Sequence, residues 1–391
     1  MEPQDIPSTS IVLANLIQMT MDPMVSQEIR LDAYRKIEDF KDNSPLCAQC
    51  GLFLVQSSNY SHIVRHTGIQ LMEHCIKYRW YLMSQEEKVF IKESCVSLLH
   101  SNNSDMVHLL RSHRHTLDAL SRIFVEMIKR EWPQHWPNMF AEFSAICEIG
   151  SVQTELILYV FLRLSEDVVS LQTLESTTRR RDLCQQLNNS MKEIMCFFRS
   201  TLEAHVKQIG LGPTSCEHEA IVSITLTTLS EYLEWIPPSN IFDNTDLMVH
   251  LFNLIRNDKF QTQVSECLEK VAQRRGKQEE KMNLYLLMCR PELWSNIQTT
   301  VIQYHSKGMA TKSVIDFHKP LSGLIRSYTQ LLTSLFASPT PEMPNSPLSS
   351  LPSHFSSLVE ILLVLLQTKS LFVLGQCVHG FQFAVQTSGP V

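Results

Sequence analysis

Residues 122–137 read RIFVEMIKREWPQHWP, and this stretch decides the fold. Upstream and within it, Leu117, Leu120, Phe124, Met127 and Ile128 recur at the three-and-four spacing of a single helix face. Pro133 disfavours helical backbone at Trp132, so the helix is expected to end there, and Pro137 suits the first turn of a following helix. The indoles of Trp132 and Trp136 are then placed to fill the joint between two helix pairs, each burying on the order of 150–250 Å². A competing reading stacks them on nucleic-acid bases. Indoles fixed by prolines at a helix corner are more often packed than exposed, which favours the joint.

Outward from this joint the same period continues. Ile69, Met72 and Ile76, with Cys75 beside them, and Val222, Leu226, Leu229 and Leu233 each form an apolar helix face, and no comparable run alternates strictly as a sheet would. Breaks fall at Ser44-Pro45, at 101–104, at 210–213, at Pro237-Pro238 and over 338–352, a Pro/Ser-rich loop. Pairing helices between breaks gives units starting near residues 11, 46, 85, 138, 180, 240, 281 and 351. Most intervals lie near or a little beyond the ~40–47-residue period of HEAT and armadillo repeats. The expected fold is therefore all-α, an α-α superhelix (solenoid) of HEAT-like pairs, each an A helix and an antiparallel B helix. A late B helix around 263–268 runs to Arg274 and Arg275, cations that suit a helix C-terminus, with Gly276 as the residue just past it. The last pair reaches Val391 without a polar capping repeat, so a truncated C-terminus is expected.

With 391 residues the chain exceeds one ordinary core, and 44% hydrophobic with 19% charged residues is the balance of a folded protein. Only 11 glycines are present, which argues against glycine-rich phosphate loops. The most apolar run, 358–366, is interrupted by Glu360, so no membrane insertion is expected; Glu2 and Asp5 without a basic leader do not suggest a secretory signal. Eleven cysteines are scattered, and Cys47 and Cys50 form an isolated CxxC that reads as two buried helix thiols in a reducing compartment. No metal, cofactor or nucleophile–base cluster is indicated, and an enzyme is not expected. The net charge of −6 excludes a general nucleic-acid binder, so any grip on RNA needs a local basic surface. Arg179, Arg180 and Arg181 are the densest such spot, at the start of an expected helix where cations oppose the dipole by roughly 0.3–1 kcal/mol. Local stability does not account for them; contact with an acidic partner or RNA phosphate, and a solvated cluster, both stay open.

The Glu-Trp-Pro-x-x-Trp-Pro motif at 131–137 resembles the third repeat of the importin-β/exportin family of karyopherins. Two blocks agree with it: IVRHTGIQLMEHCIKYRW with MSQEEKVFIKESCVSLL over 63–99, and TELILYVFLRLSEDVVSLQTLESTTRRRDLCQQLNNSM over 154–191. The resemblance is strong over about 25–200, weaker to about 290, and beyond that little more than helical pattern. It implies importin-β N-terminal-like repeats over 1–115, exportin-type HEAT repeats over 116–290 and divergent repeats over 291–391. It further implies a monomeric nuclear export receptor, shuttling between nucleus and cytoplasm, that meets nuclear pore proteins and binds the small GTPase Ran in its GTP form. The implied cargo is structured RNA, such as microRNA-precursor hairpins and tRNA; protein cargo, or Ran binding without cargo, are the alternatives. In the family Ran lies on the inner surface of the B helices. Polar stripes suited to it are Glu28, Asp32, Arg35 and Asp39; His66, Gln70, Glu73 and Lys77; and Asp118, Arg122, Glu126 and Lys129, each spaced to share one helix face. Any amphipathic helix also carries such a stripe simply as its solvated side.

Overall fold

Serines open the early helices where the apolar spacing begins. Ser26 Oγ accepts from the Ile29 amide (3.4 Å) and Ser61 Oγ from the Val64 amide (3.5 Å), while Ser84 and Glu87 form a reciprocal capping box. A computed structural model describes residues 5–99, 104–174, 176–306, 312–336, 353–367 and 370–387, and among these no strand occurs. The chain divides into two units after Gln186.

The first unit holds α1 (Ile6–Met21), α2 (Gln27–Asn43), α3 (Cys47–Gln56), α4 (His62–His74, prolonged by a wider turn to Arg79), α5 (Gln85–Ser97), α6 (Ser104–Ser112), α7 (Arg114–Glu131), α8 (Met139–Cys147) and α9 (Ser151–Ser165). The division falls within α10 (Thr177–Asn189). Pairs α1–α2, α3–α4, α6–α7 and α8–α9 pack as hairpins, and α4, α7 and α9 stand side by side as successive B helices. Helices α3 and α4 approach so closely that a Cβ on Gly51 would lie 2.8 Å from the Gly68 carbonyl, and one on Gly68 2.7 Å from the Gly51 carbonyl. Neither position has room for a side chain.

The second unit holds α11 (Met191–Val206), α12 (Ser215–Leu233), α13 (Pro238–Phe242), α14 (Thr245–Leu254), α15 (Gln261–Ala272), α16 (Gln278–Met288), α17 (Pro291–Ser306), α18 (Lys312–Phe336), α19 (Phe355–Leu365) and α20 (Leu371–Thr387). One layer runs α11, α14, α17, α19 and the other α12, α15, α18, α20, the two-layer stacking of HEAT-like pairs. A helix begins near each expected repeat start, at Cys47, Gln85, Met139, Thr177, Pro238, Gln278 and Phe355, with Ile6 earlier than the expected 11. The expected simple pairs are corrected at four of them: α5, α10, α13 and α16 are additional helices ahead of α6, α11, α14 and α17, which pack in the first layer. The segment 338–352, where a loop is expected, and residues 388–391 lie outside the described residues.

At the tryptophan joint α7 ends at Glu131 with Trp132 extended, as Pro133 requires, and the Trp132–Pro133 peptide is cis. Pro137 differs from expectation: α8 starts at Met139, so Pro137 sits in the turn before it rather than in its first turn. Both indoles are buried, Trp132 against Phe140 and Trp136 against Phe143, and Trp136 Nε1 donates to Glu142 at 2.9 Å. They are joint residues, closed to bases. Cys47 and Cys50 are likewise wholly buried in α3.

A repeated device closes the B helices. The last carbonyls of a helix lack intrahelical partners, and here an arginine from a later repeat reaches back to take them. Arg79 donates to the Lys41 and Ser44 carbonyls after α2, and Arg130 to the Lys77 carbonyl after α4. Arg179 bonds the carbonyls of Ile128, Lys129 and Trp132 after α7, and Arg274 those of Glu234 and Ile236 after α12. Gly276 therefore does not close α15 as expected. That helix stops at Ala272, and the basic link beyond it serves the neighbouring helix instead.

Candidate functional site

Because α4, α7 and α9 lie side by side, their polar stripes meet. Arg122 Nε donates to Glu73 Oε1 (3.0 Å) and its Nη1 to Asp118 Oδ2 (2.6 Å). Asp118 Oδ1 accepts from Arg163 (2.9 and 3.0 Å), which also donates to Glu166 (2.6 Å). The result is a ladder of alternating charge across three repeats, its side chains between 20% and 37% exposed. Arg163 and Glu166 were not among the sequence candidates. Their i, i+3 spacing was visible, but only packing aligns them with Asp118.

Deeper between the same helices, Lys129 pairs with Glu126 (2.5 Å) and with Asp167 (2.7 Å), and Arg130 pairs with Glu126 (2.6 Å). Burial pushes the Glu126 carboxyl up, but Lys129 and Arg130 outweigh it and its pKa ends below the usual carboxylate range. Glu126 and Lys129 are thus interior ion-pair members, with side chains only 8% and 10% exposed, and not free members of a solvated stripe.

The other candidates separate by helix. Gln70 and Lys77 are exposed and, with Glu38, Lys41, Glu73 and Tyr78, line a groove between α2 and α4. Asp32 and Arg35 are exposed on α2, where Asp32 pairs locally with Lys36 (2.7 Å) rather than with another helix. His66 is half-buried within a histidine group absent from the sequence reading. Its ring lies 4.9 Å from that of His115, while His62 stacks on His113 at 4.2 Å. Burial, then His115 and Arg122, lower the His66 pKa, which keeps the imidazole neutral near pH 7.

Of the basic triplet, Arg179 is committed to the end of α7, Arg180 bonds Gln172 (2.6 Å), and Arg181 is exposed. The triplet is therefore not one free cationic patch. No group of three or more metal-ligating side chains, and no helix long and apolar enough to cross a membrane, is found among the described residues. What this face offers is a broad array of fixed charges of both signs flanked by the exposed Tyr78, Tyr81 and Leu82, an arrangement suited to reading another protein's surface.

Comparisons with known proteins bear on the same helices. A family model described as importin-beta N-terminal domain matches residues 33–101, and one described as exportin 1-like protein matches residues 113–268. The chain is 37% identical to exportin-5 of Mus musculus over 295 residues and 38% identical to exportin-5 of Homo sapiens over 283 residues. Exportin-5 of Dictyostelium discoideum is 26% identical over 291 residues. These alignments cover 73%, 70% and 70% of the chain but only 24%, 23% and 25% of the relatives, so the chain matches about a quarter of their length. A crystal structure of importin beta covers 97% of the chain, with 46% of its own length, at a TM-score of 0.46 and 13% identity.

Proposed function

The chain is related in sequence to the N-terminal part of exportin-5, in the importin-β/exportin family, and from that kinship we propose that it is a nuclear export receptor whose first unit binds Ran in its GTP form. The observation that carries the reading is a coincidence. Both matched segments, 33–101 and 113–268, fall on the B helices that the fold aligns, and the charge ladder runs across them. A face of alternating charge steers and selects a protein partner more than it adds raw affinity. Its work as an export receptor is to exchange that partner while shuttling between nucleus and cytoplasm, not to catalyse a reaction.

Asp32, Arg35, Gln70 and Lys77 are the proposed outer contacts, with His66, Glu73 and Arg122 beneath them. Structured RNA such as hairpins or tRNA is the proposed cargo, held together with surfaces other than the basic triplet, since Arg179 is used internally. At −6 overall, this chain alone should bind hairpin RNA weakly and lose it as salt rises. The test is capture of the chain by Ran loaded with GTP or with GDP. The expected result is capture by the GTP form, reduced at least tenfold by Arg35→Glu with Lys77→Glu while far-UV circular dichroism is unchanged. Equal capture by both forms, or undiminished capture of the folded double variant, overturns the reading.

A further inference from the structure

We propose that the second unit carries a binding pocket for a compact polyphosphate anion, formed by Arg275, Lys281 and Arg326. Three elements of consecutive repeats build it: the link after α15, the first turn of α16 and the middle of α18. The pocket is about 640 Å³, within the roughly 300–1,000 Å³ range of small-molecule sites. Its walls are donor-rich. Beside the three cations stand Gln273, Ser327 and Gln330, and Arg274 closes the end with its Nη atoms already on the Glu234 and Ile236 carbonyls.

The three cations have no direct ion pair among the described residues, although the charge of Glu269 reaches Arg326. No carboxylate lies within ion-pair distance of Arg275, Lys281 or Arg326 among the described residues, although Lys270, one turn earlier, pairs with Glu234. The Nε atoms of both Arg274 and Arg326 are buried without a hydrogen-bond partner. Such atoms are rare in folded proteins, because an unsatisfied buried donor costs the full loss of its hydration. Glu269, whose charge reaches Arg326, is already held by Gln273 (2.8 Å) above the Gly323 backbone. An anion with several oxygens would engage Arg275, Lys281 and the outer guanidinium atoms of Arg326 together, cations that no carboxylate here pairs with directly.

Compactness follows from the surroundings. Glu280 Oε2 accepts from the Lys277 amide (2.8 Å) beside the lining residue Gly276, at the rim of the pocket, and Glu266 and Glu279 flank the link in sequence. A long polyanion would therefore meet carboxylates that a small one seated on the cations would avoid. Pyrophosphate is the probe. Calorimetric titration and thermal unfolding of the full chain are run with pyrophosphate, with inorganic phosphate, and with sodium chloride at matched ionic strength. Pyrophosphate is expected to bind and to raise the unfolding temperature beyond the chloride control. Arg275→Ala with Lys281→Ala should weaken binding at least tenfold, and Arg181→Ala should leave it unchanged. If the double variant does not fold, Arg275→Gln alone, in an exposed link, should weaken binding at least threefold. Binding equal in wild type and variants, stabilisation matched by chloride, or hairpin RNA bound at this site and not displaced by excess pyrophosphate would each overturn the assignment.

Discussion

Replacing Arg179 by alanine isolates the reach-back device. Its guanidinium holds three carbonyls at the end of α7 and also donates to Gln134 Oε1 (3.1 Å). Hydrogen bonds to a charged group contribute about 1.5–3 kcal/mol each, and a cation at a helix C-terminus adds about 0.3–1 kcal/mol. The bonds share one donor group and the carbonyls lie near enough to solvent to be rehydrated in part, so they do not sum, and the expected loss is about 3 kcal/mol. With a urea slope of about 2–3 kcal/mol/M, that moves the midpoint of the first unit's transition down by about 1 M. Arg179→Lys keeps the charge but not the fork and should fall between. Arg181→Ala, at an exposed position, should stay within about 0.5 kcal/mol. Amide hydrogen exchange should quicken selectively over 124–132. A midpoint no lower than that of Arg181→Ala, with exchange unchanged at the end of α7, would refute the reasoning.

Lys129→Glu should destabilise by more than about 3 kcal/mol, since it sets a third carboxylate against Glu126 and Asp167 in a site with little water; denaturant titration checks it, and a neutral result would mean the pair is solvated. Trp136→Ala should cost about 3–5 kcal/mol by cavity formation, with Glu142 losing its donor, as read from the same unfolding curves. Gly68→Ala should lower the thermal unfolding temperature, because its methyl group would meet the Gly51 carbonyl. For His66 the folded pKa lies below the unfolded value of about 6.5, so the unfolded chain takes up protons first on acidification. Stability from this group is present above about pH 6.5 and is lost as pH falls toward the folded pKa; His66→Gln should flatten that decline in unfolding temperature between pH 7.5 and 5.5.

The helix periods, the breaks at Ser44-Pro45, 210–213 and Pro237-Pro238, and the close of α7 at Trp132 were legible because each depends on neighbours within a few residues. The simple alternation of A and B helices did not hold throughout: α5, α10, α13 and α16 add a third helix between breaks, and which two of the three pair is set by packing rather than by local marks. What escaped the sequence lies across repeats. Arg179 read as part of a basic patch because its partners, 128–134, are some 50 positions away. Glu126 and Lys129 were legible as a pair at i, i+3 but not as interior residues, since Asp167 closes over them from beyond α9. The histidine group joins His62 and His66 on α4 with His113 and His115 at the start of α7, and no local spacing announces it. Gly276 failed for the same reason: a neighbour's unmet carbonyls, not its own helix, set the conformation of that link.

Arginines that reach back give the array a direction. Each B helix so treated borrows its closure from residues encoded later, so the end of α2 is finished only once Arg79 is in place, and that of α7 only with Arg179. Unfolding of one repeat therefore exposes the terminus of the repeat before it, and the loss passes toward the N-terminus more readily than the reverse. During synthesis the order is inverted, the ends of α2, α4, α7 and α12 being locked as the arginine of the following repeat emerges, so that order at these joints grows behind the nascent end.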